Sequence, residues 1–195
     1  MVTEECTFFY NWLENEVEII RQIKCFYKWM WDDIISVNYV WLKSWGVKPK
    51  SLERKKEIFD EWFSKLPQLL PIRNSSCVVD NDNLKWNPVV SVSGSDVNIL
   101  GWDFRTYLLY ELREHLNIYT DVYDEEDERF YPELIDEVQK INNENFKYDE
   151  SKDIPYLKEI ILYWSSGWRG FGLSYHPENA RIHPIVKTHI AEEEK

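Results

Sequence analysis

The sequence predicts an α+β fold, a helix-rich single domain with a long aromatic N-terminal helix (or helix pair) and two small antiparallel β-hairpins. Three observations carry this. The first 45 residues hold eleven aromatic side chains and neither Gly nor Pro. Four later stretches repeat apolar residues at the three-and-four spacing of a helix face. Between and after them, short runs bounded by turn residues change the period to that of strands. One globular domain is expected over 1–190, helical in 1–66 and mixed in 77–190, with 191–195 left as a frayed acidic tail.

In chain order, Phe9, Trp12, Leu13, Val17, Ile20, Ile23, Tyr27, Met30, Trp31 and Ile34 mark the first helix face. Thr3 or Thr7 is its expected N-cap, and Glu4 and Glu5 favour the positive end of the helix dipole. From Asp32 the pattern blurs, so the helix either bends and continues to Trp45 or a second one begins. Buried aromatics remove roughly 150–250 Å² each from water, and this segment is expected to organise the core. It is not read as a membrane span, because Lys28, Asp32, Asp33, Asn38 and Lys43 interrupt it.

Ser51 is the expected N-cap of a helix through Leu66, with Leu52, Ile58, Phe59, Trp62 and Phe63 on its apolar face. Residues 67–76 read as a connector. Pro88–Ser93 and Val97–Leu100 flank Gly94-Ser95-Asp96 as a hairpin, with a third strand possible at Cys77–Val79. Asp103 caps a helix bearing Tyr107, Leu108, Leu112 and Leu116. A further helix is expected with Pro132 in its first turn and with Leu134, Ile135, Val138 and Ile141 as its stripe. Asp153 is expected to cap a last helix carrying Leu157, Ile160, Ile161 and Trp164. Residues 168–186, turning at Pro177-Glu-Asn179, then read as the second hairpin.

The net charge of −12 is unevenly spread. Residues 121–153 hold 13 acids against 4 bases, whereas 46–75 carry a net +3. The basic run Lys48–Lys56 reads as a solvated face rather than a phosphate site. Cys6, Cys25 and Cys77 are too few and too scattered for a disulfide framework, which suits an intracellular, cytoplasmic protein with buried thiols.

No motif assigns an activity. There is no GxSxG elbow, and six scattered glycines build no phosphate cradle. His176 and His183 would approach one another across the second hairpin, but their spacing matches no metal motif, so neither metal nor cofactor is expected. The His176/His183 hairpin, or a carboxylate cluster of Asp96 and Asp103 with the acids near 121–128, raises the alternative of a metal-dependent hydrolase or nuclease. Trp168 and Arg169, an arginine beside an aromatic, have the composition of a binding loop.

The expected partner-binding surface is Asp124, Glu125, Glu126, Asp127 and Glu128 with Glu133, Asp136 and Glu137. Helical positions four apart are about 6 Å apart in rise, and duplex DNA carries a charge about every 3.4 Å along each strand. Glu133, Glu137 and the DEEDE run are therefore expected to offer a row of charge that mimics nucleic acid. In composition alone, carried by no motif, the chain resembles the inhibitors that viruses direct at host nucleic-acid enzymes, and toxin-neutralising immunity proteins. The expected function is non-enzymatic: an inhibitor that binds a basic protein or nucleoprotein complex. Direct nucleic-acid binding and membrane binding are not expected, and a homo-oligomer through the Trp-rich helices is possible.

Overall fold

The computed structural model describes residues 10–13, 16–37, 40–147, 152–163 and 171. Within them the helix-rich α+β class is borne out, with five α-helices and two antiparallel sheets of four and two strands. The helices are α1 (Glu16–Asp32), α2 (Leu52–Phe63), α3 (Phe104–Glu111), α4 (Asp136–Asn145) and α5 (Leu157–Tyr163). The larger sheet is a meander of β1 (Gln68–Arg73), β2 (Ser76–Asp80), β3 (Val89–Ser93) and β4 (Asp96–Gly101), in that order. The smaller pairs β5 (Tyr119–Asp124) with β6 (Arg129–Leu134).

The core forms on one face of the meander. Leu69 lies opposite Val79, Cys77 opposite Val90, Val90 opposite Ile99, and Val92 opposite Val97. Cross-strand partners share a face, and these are all buried with Phe26 and Met30 of α1 and Leu157, Ile160 and Ile161 of α5.

Of the described N-terminal aromatics, Phe26, Trp41 and Trp45 are core and Tyr27 and Trp31 pack against it, whereas Trp12 and Trp29 are exposed. Phe59 is fully buried, with ring centroids 5.3 Å from Tyr27 and 5.3 Å from Trp31. Trp45 and Trp62 meet edge-to-face at 5.2 Å. The face of α1 differs from the expectation, however. Ile19, Gln22, Phe26 and Met30 are its buried residues, while Leu13 is 95% and Val17 83% exposed. Phe8 and Phe9 and the predicted caps Thr3 and Thr7 lie outside the described residues.

Neither predicted course beyond Asp32 is followed. A π-helical turn, Asp33–Val37, closes α1, and the chain reaches Trp45 through Val40–Leu42 and a single 3-10 turn. That turn aims Asp33 at the sheet, where its carboxylate accepts the Ser95 N–H at 2.8 Å and also the Ser95 hydroxyl. Gly94, beside it in the β3–β4 turn, has φ 62°, and a Cβ there would stand 2.8 Å from the Asp33 Cγ. Gly94→Ala should thus lose about 1–2 kcal/mol to left-handed backbone alone, and more by displacing Asp33. Urea denaturation checks this.

Ser51 and Asp103 cap α2 and α3 as predicted, accepting the N–H of Arg54 and of Thr106. Residues 68–73, read as connector, are instead an edge strand, where Pro71 is tolerated. Asp153 does not cap α5. The N–H groups of Leu157 and Lys158 reach the Ile154 carbonyl, and Asp153 pairs with Lys158 at 3.8 Å.

Between α1 and α2, the Tyr27 hydroxyl donates to Asp60, and Lys56 reaches both. Burial raises the Tyr27 pKa, and the Asp60 carboxylate raises that of Lys56. A raised folded-state pKa means stability present in full below the unfolded value and lost as pH rises through the folded one. The α1–α2 contact should therefore weaken above about pH 10, the ordinary tyrosine range. Melting temperatures at pH 8 and 11 should differ less in Tyr27→Phe than in the wild type.

Candidate functional site

The sequence-predicted helix beginning near Pro132 is not formed. Tyr119 to Leu134 is the β5–β6 hairpin, with Thr120 opposite Glu133, Val122 opposite Tyr131, and Asp124 opposite Arg129. Pro132 lies within β6, and the helix starts only at Asp136. The reason is local. A ladder in a two-stranded ribbon leaves one side of each strand unpaired, so a proline is accommodated there.

The hairpin is an arm. Every residue from Thr120 to Phe130 is exposed, and each strand packs chiefly against the other. The arm is rooted where Ile118 is buried and its carbonyl accepts the Ile135 N–H at 3.0 Å. A mainly apolar cavity of about 230 Å³ lies at this root, lined by Leu134 of the arm, Val138 and Ile141 of α4, and Leu109 of α3.

Alternation gives the arm two faces. Tyr123 and Phe130 share one, with ring centroids 5.1 Å apart. Glu133, Tyr131, Arg129 and Asp124 share the other. At the tip, Asp124 Oδ1 accepts the N–H groups of Glu126 at 2.8 Å and Asp127 at 3.1 Å, and Glu128 takes φ 52° to close the loop. Arg129 lies 4.5 Å from the Tyr131 ring centroid and 3.4 Å from the Asp127 carboxylate. Tyr131 donates its hydroxyl to Asp127, and this hydrogen bond raises the Tyr131 pKa.

The predicted acidic residues therefore fall in three places. Asp124–Glu128 form the tip, Glu133 lies along β6, and Asp136 and Glu137 begin α4 at the root. They do not form the helical row expected from four-residue spacing. Across six residues a strand spans about 17–20 Å, so tip and root are separate patches of one acidic projection. Arg129 is engaged by Asp127. None of Glu125, Glu126, Glu128, Glu133, Asp136 and Glu137 enters an ion pair among the described residues. Sequence reading did not identify the exposed Tyr123 and Phe130 beside these acids. The strand-prone pairs Val122-Tyr123 and Phe130-Tyr131 on either side of the DEEDE run were the available signal.

The alternative carboxylate centre is not assembled here. Asp96 accepts from Asn98, and Asp103 caps α3. Among the described residues no three His, Cys, Asp or Glu side chains cluster for a metal. Trp168, Arg169, His176 and His183 lie outside the described residues, as does the predicted 168–186 hairpin apart from Phe171, which is buried. No described helix is long and apolar enough to cross a membrane. No family model, curated protein or solved structure matches this chain.

Proposed function

We propose that the protein is a non-enzymatic binding protein whose β5–β6 arm inserts into a basic groove of a protein partner and blocks it. The observation that supports this most is the unneutralised charge of the arm. Residues 119–137 carry nine carboxylates and one arginine, and the arginine is engaged within the tip. Like charges held this close on a projecting ribbon repel one another, a cost that a cationic partner removes. The aromatic face supplies what charge does not. Tyr123 and Phe130 are half-exposed or more and already held against one another, so they lose little side-chain entropy on being covered.

The groove most suited to such an arm is one evolved for nucleic-acid phosphates, which makes a nucleic-acid-processing protein the favoured partner class. Direct binding of DNA or RNA along the arm is disfavoured by the same charge. The test is capture from cell lysate at low and high salt, with the arm-neutralised protein described below in parallel. A cationic nucleic-acid-binding protein retained at low salt by the wild type alone is the expected result. Equal retention by both proteins, or none by either, contradicts the proposal.

A further inference from the structure

A second cavity, of about 720 Å³, has the opposite electrostatic character to the chain as a whole. Lys85, Arg105, Lys140, Lys147 and Lys152 line it against Asp103 and Glu144, a positive wall in a protein of net charge −12. Lys85, Arg105, Lys140 and Lys147 enter no ion pair among the described residues. By contrast, Arg54 and Lys56 of the basic run in the sequence are both paired with carboxylates on α2.

Two tryptophans complete the cavity. Trp102 is buried, with Lys152 Nζ 5.1 Å from a ring centroid. Trp86 is 46% exposed, with Lys85 Nζ at 4.8 Å. The wall is fixed rather than incidental. Asn145 Oδ1 accepts the Trp102 N–H at 3.0 Å, and its Nδ2 donates to Asp103 at 3.3 Å. The other Asp103 oxygen accepts the Thr106 N–H, so this carboxylate is directed into the protein's own hydrogen bonds. Lys152 is anchored by the carbonyls of Asn145 and Lys147.

We propose that this cavity binds a nucleotide, its base stacked on Trp86 and its phosphates received by Arg105, Lys140 and Lys147. The volume lies within the roughly 300–1,000 Å³ of small-molecule sites and exceeds what an inorganic anion fills. Cations that enter no ion pair among the described residues suit phosphate, and an exposed indole on the same wall offers a platform to any base. A nucleic-acid polymer is the wrong occupant, since it must also approach a protein of net charge −12. The proposal does not depend on the function assigned to the arm. The two sites share α4, whose first turn carries Asp136 and Glu137 and whose later turns supply Lys140 and Glu144.

Calorimetric titration of the full chain with ATP, adenosine and tripolyphosphate, all in EDTA, tests it. ATP should bind about tenfold or more tighter than either fragment, because stacking and phosphate contacts both contribute. Trp86→Ala and the double variant Lys140→Ala, Lys147→Ala should each weaken ATP about tenfold or more, with unchanged circular dichroism. All three side chains are exposed, so folding is not at stake. Lys65→Ala, in the turn after α2, should change nothing. Absence of ATP binding, tripolyphosphate binding as tight as ATP, or ATP affinity unaltered by these variants overturns the assignment.

Discussion

Phe59→Ala should destabilise the protein by about 3–5 kcal/mol, the range for truncating a large buried aromatic. Phe59 is 0% exposed, and its ring meets those of Tyr27, Trp31, Trp45, Trp62 and Phe63. Truncation removes contacts from α1, α2 and the segment before Gly46 together, and the surrounding rings are too large to collapse into the space. Domains have only about 5–15 kcal/mol of stability to lose. Phe130→Ala is the matching control. Phe130 is 65% exposed on the arm, and its loss should change stability by about 0.5 kcal/mol or less. Chemical denaturation of both variants measures the contrast.

Neutralising the arm should do the reverse, removing binding while sparing the fold. The variant is Glu125→Gln, Glu126→Gln, Glu128→Gln and Glu133→Gln. Asp124 is left because it organises the turn through two backbone N–H groups. Asp127 is left because it holds Arg129 and Tyr131. Asp136 and Glu137 are left because acids in a first helical turn stabilise it by about 0.3–1 kcal/mol each. The four glutamates replaced are exposed and enter no ion pair among the described residues, so the melting temperature should hold or rise slightly. Four interfacial charges at about 0.5–1 kcal/mol each amount to about 2–4 kcal/mol, roughly a hundredfold in affinity. A large fall in stability would mean that the arm is structural.

The parts legible in the sequence were those set by neighbours in the chain. Ser51 and Asp103 announce α2 and α3 because an N-cap bonds an N–H only three residues away. Gly94-Ser95 announces the β3–β4 hairpin because its backbone needs a left-handed residue. Strands that depart from the ordinary strand pattern were not legible. β1 contains Pro71, which argues against a strand until its edge position is known. β5 and β6 are exposed on both faces, so no apolar alternation marks them, and Pro132 resembles the start of a helix. The exposed side of α1, with Val17 and Ile20, has the same helical spacing as the buried side, and only packing distinguishes them.

The acidic character of 121–137 was legible as composition, but its shape was not, since the same carboxylates suit a helix or a ribbon. The basic cavity was hidden for a different reason. Lys85, Arg105, Lys140 and Lys152 come from separate parts of the chain, and Lys140, Lys147 and Lys152 lie within the acidic stretch 121–153. In the basic run visible in the sequence, Arg54 and Lys56 are paired with α2's own acids.

The central claim, that the arm binds through unneutralised charge, is tested most directly by salt dependence. Affinity of the purified captured partner should be measured from about 50 to 300 mM salt, for the wild type and the four-glutamate variant. Exposed charges more than about 8–10 Å apart are screened over this range. The wild type should weaken steeply and linearly on logarithmic axes, whereas the variant should bind weakly and with a shallower slope. Superimposable lines for the two proteins would contradict the account.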